Sequence, residues 1–506
     1  MKTIIKKYLW IVICVCACVW IWFPSSPSVP EVYATVEKQP VIYPDYAAVT
    51  VPCNIAPLTF RINEEGTGFV TKFISDDCEV AVGGKDVEIS IDKWNTLINK
   101  AKGGEISVEV YAKNNEGWAK YAPFKIFVSA DSIDSYISYR LIPPSYVAYE
   151  NLSICQRALS SYDEDVIYNN MLGGAEPKGQ CINCHAYKDY KTDNMQFHVR
   201  QHNGGTIFVH NGVAKKINLK TDSTISAGVY PSFNPKYDVV AYSVNSTGQI
   251  FHTKHANKVE VQDKASDVIV YNPAEGTVTH VANGKEDLEV FPAWSPDGET
   301  LYYCSAHFEK KDTSLTLESE MIIRYKEVKY DILRRSWNSQ TGEFGVVDTV
   351  FMASAIGRSA TFPRISPNGK YLLFAMGEYG CFHIWHKDAD LYIIDLETKE
   401  YHALDKANSE FPESYHAWSS NGKWILFASR RDDTNYSRLY IAHVNDDGTA
   451  EKAFLLPQKS PEFYDFFDRS YNVPEFMVEP VSITPQEFAT VVSGEAENVK
   501  YNPFGK

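Results

Sequence analysis

The chain has 506 residues, 44% apolar and 22% charged, which excludes a wholly disordered protein. Its formal net charge of −15 excludes a chain built to lie along phosphate backbones or anionic lipid, so no nucleic-acid partner is expected. The length exceeds one small core, and 32 Tyr among many Val, Thr and Ile favour strands, so a mainly β chain is expected.

Residues 1–23 carry Lys2, Lys6 and Lys7 ahead of an uncharged apolar run from Tyr8 to Phe23, the pattern of an exported chain. Tyr8 and Trp10 at one end and Trp20 and Trp22 at the other match the aromatic belts of a spanning helix. A membrane anchor with its amino terminus inside is the first expectation. Cleavage after Val32-Tyr33-Ala34 and lipidation at Cys18, where Val15-Cys16-Ala17-Cys18 loosely resembles a bacterial lipoprotein box, are the alternatives. All three place the bulk in the cell envelope, on the periplasmic face. Cys14, Cys16 and Cys18 read as small hydrophobes of the run, and Cys53 with Cys78 is a candidate bridge.

The Pro-rich residues 24–47 read as an extended tether. Residues 48–130 alternate over short segments such as ISVEVYA and FKIFVSA, separated by Gly and Asn turns, and predict a small β-sandwich. Residues 131–204 read as a linker, with a short helix around Asn151 to Asn169, that delivers the chain to a Cys-rich segment.

From residue 205 to 458 the text repeats. Pro231-Ser-Phe-Asn-Pro, Pro292-Ala-Trp-Ser-Pro-Asp-Gly, Pro363-Arg-Ile-Ser-Pro-Asn-Gly and His416-Ala-Trp-Ser-Ser-Asn-Gly each stand before an apolar strand, VVAYS, TLYYCS, YLLFA and WILFAS. A second strand signal follows each, and Gly205-Thr-Ile-Phe-Val is a further strand of that second kind with no partner ahead of it. A tight turn followed by a strand buried on both faces suits sheets stacked in a ring. The signature at 292–301 resembles the repeats of TolB-type propellers, relatives of WD-repeat proteins. That resemblance implies a β-propeller, with five blades countable and six implied, and residues 459–506 as a tail packed on it.

The segment Gln180-Cys-Ile-Asn-Cys-His185 carries the chemistry. Cys181 and Cys184 with His185 spell a c-type haem attachment motif, two thiols for the vinyl groups and an imidazole as proximal iron ligand. The five-letter motif resembles the haem-binding segment of cytochromes c, which implies electron transfer or redox or ligand sensing with a redox partner, or a part in cytochrome maturation. Met195 or His198 is the candidate sixth ligand, with Met171 and His202 as further options. Tyr187, Tyr190 and Phe197 are candidate walls for the ring, and Arg200 a candidate propionate partner.

The same letters also fit zinc, because Cys181 and Cys184 are followed at finger spacing by His198 and His202. Lys188 stands where a finger carries a large apolar residue, and the exported acidic chain is no nucleic-acid reader. Thiol exchange at Cys-x-x-Cys lacks the surrounding βαβ pattern. His383 and His386 read as polar tips at a blade rim rather than as metal ligands. No Gly-x-Ser-x-Gly elbow, Walker loop or dinucleotide motif occurs, so no catalytic residue is assigned. The competing expectation is a non-catalytic envelope scaffold, binding a protein or glycan, whose Cys-His cluster is a zinc or disulfide staple.

Overall fold

The computed structural model describes residues 27–143, 151–173, 180–255 and 257–503. From Tyr136 onward, six antiparallel sheets succeed one another. Their innermost strands are Ser470–Met477, Gln180–Lys188, Val229–Phe233, Asp287–Trp294, Ser359–Ile365 and Glu413–Trp418. Each packs on the next, and Ser470–Met477 packs on both Glu413–Trp418 and Gln180–Lys188, so the ring is closed. This is a propeller of six blades, numbered here in the order of those inner strands.

The second strand of each repeat is apolar on both faces because a blade is covered by a neighbour on either side. Tyr371–Gly377 and Trp424–Ser429 are buried at every position. The turns ahead of these strands follow their sequence. Ser295 Oγ accepts from the Thr300 amide at 3.0 Å, and Gly298 sits at φ 76°, where a Cβ would meet the Asn234 side chain at 2.5 Å.

Blade one redraws the expected boundaries. Residues 131–204 are not a linker: Tyr136–Ile142, Ser153–Ala158 and Glu164–Asn169 are three strands of blade one, and the Cys-rich segment is the inner strand of blade two. The helix expected around Asn151 to Asn169 is a hairpin. Its turn is held by Ser161 Oγ donating to Asp163 at 2.7 Å and by the Ala158 amide donating to Asp163 O at 3.0 Å, local bonds that compete with helix formation. Residues 459–506 are likewise more than a tail. Ser470–Met477 completes blade one, the helix Pro485–Ser493 packs on blades one and two, and Glu497–Asn498 and Lys500–Tyr501 add parallel edge strands to blades two and three.

Residues 27–130 form a seven-stranded and a three-stranded sheet around the helix Ile91–Lys100, whose Trp94, Leu97 and Ile98 are buried. The tether is absorbed into this module, since Ala34–Val36 pairs with Gly117–Tyr121 and Ile42–Tyr43 with Phe60–Ile62. Cys53 and Cys78 are free thiols. The anchor, cleavage and lipidation expectations at residues 1–26 lie outside the described residues, apart from the Val32-Tyr33-Ala34 segment. Among the described residues, no helix is long and apolar enough to cross a membrane.

Candidate functional site

One local device recurs in every blade. At the same point of each inner strand, a non-glycine residue takes a left-handed backbone: Cys184, Tyr230, Phe291, Phe362, Tyr415 and Val473, with φ between 48° and 57°. The strand register slips beside each of them, which makes six bulges. Such a conformation costs about 1–3 kcal/mol for a bulky residue and persists only where the surroundings enforce it. Here it brings these residues to the axis. Phe291 stacks on Phe362 at 3.9 Å between ring centres, with Tyr230 against Phe291 at 4.9 Å and Tyr415 against Phe362 at 5.0 Å.

The residue after each bulge is Pro in four blades and His in two, His185 and His416. His416 Nε2 donates to Phe362 O of the preceding blade at 2.7 Å. His185 approaches the backbone of Ser138 and Val473 of its own preceding blade, although neither ring nitrogen reaches a partner at hydrogen-bond geometry. Burial, then for His185 the nearby Arg140 charge and for His416 the Arg364 charge, hold both imidazoles neutral, down to about 3. Cys184-His185-Ala-Tyr187 is thus a copy of Tyr415-His416-Ala-Trp418. Extending the Pro-x-aromatic repeat upstream would have found it. The expectation that Gly205-Thr-Ile-Phe-Val lacks a partner strand is corrected by the same observation.

The axial cavity is lined by Cys184, His185, Tyr230, His416, Val473 and Glu475 among others. Its volume is about 30 Å³, above the roughly 10–15 Å³ that one water molecule needs. This axial cavity as it stands is too small for a porphyrin. The haem set also points apart. Cys184 lies at the axis, with its thiol raised by burial, whereas Cys181 belongs to the apolar cluster between blades one and two. Met195 is fully buried in that same cluster. His198 lies on the opposite face of its strand, with Nδ1 3.0 Å from Thr206 Oγ1, and burial depresses it to about 3. Met171 is exposed. Phe197 stacks on Tyr168 at 5.1 Å and so packs the seam rather than a cofactor.

The zinc set is corrected likewise. The hairpin keeps both strands extended, with Cys181 opposite Arg200 and Asn183 opposite His198, and His202 is exposed in the turn beyond. Among the described residues, no three His, Cys, Asp or Glu side chains gather as a metal-binding group. His383 and His386 are not rim tips. They lie buried in a short 3-10 turn, His383 Nδ1 3.0 Å from Thr361 Oγ1 and His386 Nε2 3.1 Å from Glu260 Oε1.

Glu260 comes from a feature that repeat reading missed, the long hairpin Val240–Phe251 and Val259–Asn272 of blade three. It reaches blade five, where Asn257 accepts from the Lys387 amide at 3.0 Å. At its base, between the loop 283–288 and the helix Leu317–Arg324, lies a recess of about 250 Å³. Lys264, Lys285, Asp267 and Asp287 line it over an apolar floor that includes Phe308 and Leu317. Two buried carboxyls stand behind it. Burial raises Glu289 to about 7 and Asp263 to about 6, and one oxygen of each has no hydrogen-bond partner.

No family model matches the chain, and no curated protein matches it. Among solved structures it is similar to an oligogalacturonate lyase from Vibrio parahaemolyticus, at 12% identity over 59% of this chain and 85% of that one, TM-score 0.32. A GH74 enzyme of Niastella koreensis is similar at 9% identity over 69% and 51%, TM-score 0.34. A prolyl endopeptidase is similar at 12% identity over 63% and 42%, TM-score 0.31. These likenesses assign neither a fold nor an activity to the chain.

Proposed function

We propose that the chain is a non-catalytic binding propeller of the cell envelope, its ligand a saccharide-like polar molecule held in the recess beneath the blade-three hairpin. The observation that carries this reading is the recess itself. Its charged rim of Lys264, Lys285, Asp267 and Asp287 offers donors and acceptors for hydroxyl groups, and its floor offers apolar surface for a ring face. The filled axis supports the same reading, because the usual entry of a propeller channel is taken up by aromatic side chains. Export rests on the sequence of residues 1–23.

The experiment pairs a saccharide panel with absorption of the full chain made in a host that attaches haem. The expected result is a colourless protein that binds one saccharide class, with binding lost in the double variant Asp267→Asn, Asp287→Asn and kept in Cys184→Ser. A Soret band with haem covalently retained on a denaturing gel would overturn this reading in favour of electron transfer with a redox partner. Stoichiometric zinc lost on Cys181→Ser would restore the metal staple. Saccharide binding that ignores the recess variant would also remove the proposal.

A further inference from the structure

The charges that line the blade-three recess do not balance. Five charged side chains face it: Lys264, Lys285, Asp267, Glu286 and Asp287. Lys264 is taken by Glu318, which belongs to the helix Leu317–Arg324 and does not line the recess. Lys285 and Glu286 are exposed neighbours on the rim and offset each other. Asp287 shares Oδ1 with His307 Nδ1 at 2.8 Å and turns Oδ2 over Gly284, where a Cβ would collide with it. Asp267 is left over. Its side chain is 18% exposed, and His280 Nε2, 3.2 Å away, stands outside hydrogen-bond geometry. The Asp267 carboxylate accepts no hydrogen bond among the described residues.

The residue behind the wall reports the sign of the field. Glu289 accepts from the Gly284 amide at 3.1 Å, which ties it to the loop 283–288, and its other oxygen has no partner. Burial first, then the charges of Asp267, Asp287 and Asp263, oppose its ionisation. The cation at the floor does not relieve this, because Arg324, stacked on Phe308 at 4.6 Å, is bound by Glu320 and Glu327. A half-buried carboxylate with open lone pairs, in a pocket with acid to spare, favours a ligand that brings both N–H donors and positive charge. A hydroxyl group brings a donor without the charge, and a carboxylate brings neither. An ammonium group brings three donors and the charge together.

We propose that the recess selects an amino sugar, its primary ammonium received by Asp267 and Asp287 and its ring face laid on the apolar floor. This inference rests on the reading of the recess as a saccharide site and narrows it. A neutral sugar loses the charged contact, and a uronic acid meets charge of its own sign.

Matched probes test it on the full chain at about pH 6, where primary amines keep their proton. Glucose, glucosamine and glucuronic acid form one set, with the galactose and mannose sets beside it, each read by isothermal titration. In at least one set the amino sugar should bind about tenfold tighter than its neutral parent, and the uronic acid more weakly than both. Asp267→Asn keeps the shape and an acceptor but removes the charge, and should cut that ratio to about threefold or less. Because the ratio is read within one variant, a general weakening of the recess does not mimic the result. Should Asp267→Asn fail to fold, Asp287→Asn read in the same way decides. A neutral sugar bound with no gain from the amine, a uronic acid bound best, or a gain that survives the charge-removing variant would overturn this inference and leave the saccharide reading standing. No binding by any member of any set would overturn both.

Discussion

Glu289 shows how far a single side chain departs from its sequence. It is one of 64 acidic residues and carries no local signal, yet it is buried two residues ahead of the Phe291 bulge. One oxygen accepts from the Gly284 amide at 3.1 Å, and the other has no partner. Burial first, then the charges of Asp267, Asp287 and Asp263, raise its carboxyl to about 7. A carboxyl raised in the folded state binds its proton more tightly than the unfolded chain does. Its favourable contribution is therefore complete below its unfolded value of 4.5 and is lost as pH rises through about 7. Glu289→Gln keeps the acceptor and removes the ionisation. The variant should be more stable than the parent by about 1–2 kcal/mol at pH 8, with the difference shrinking toward pH 5. Urea midpoints at the two pH values measure it, and a variant less stable at pH 8 would refute the account.

At the level of elements, what could be read depended on whether the signal was local. The Ser-Pro-Asp-Gly turn and the apolar strand after it specify each other within about ten residues, so blades three to six were legible. The first two inner strands were not. In blade two, Cys184-His185 replaces the aromatic-Pro pair and spells a cofactor motif instead. Its strand identity shows only in alignment with Tyr415-His416. In blade one, the inner strand Ser470–Met477 is supplied from the far end of the chain, a pairing no local pattern encodes. Closure by that strand makes the C-terminal region unequal in importance. Ending the chain after Gly494 removes two edge pairings of two residues each, the buried Val499 and the Lys215–Glu497 ion pair, and should lower the melting temperature while leaving the ring closed. Ending it before Ser470 removes the strand that joins blade six to blade two and should abolish soluble, cooperatively folding protein. Between these extremes, Thr484→Ala breaks the capping box with Glu487 on the helix Pro485–Ser493. It should cost about 1 kcal/mol by thermal or urea unfolding.

Over the whole molecule, composition and alternation foretold two β units, but not that they share one interior. A single apolar cluster runs from Phe60, Trp94 and Ile126 of the N-terminal module through Leu288, Phe374 and Ile425 of the ring. Polar bonds pin the join. Tyr46 donates to Leu455 O at 3.2 Å, Trp424 Nε1 donates to Ser132 O at 3.0 Å, and Asp134 accepts from the Ser420 amide at 2.7 Å. Modules joined by a continuous buried core unfold together, whereas modules joined only by a tether unfold separately. Amide exchange under rising denaturant should therefore show the helix Ile91–Lys100 and the strand Tyr371–Gly377 opening with the same dependence. Asp134→Ala removes the acceptor for Ser420 at the join and should let the module open first, at lower denaturant than the ring. Were the module already to open before the ring in the parent chain, the shared core would not couple the two units.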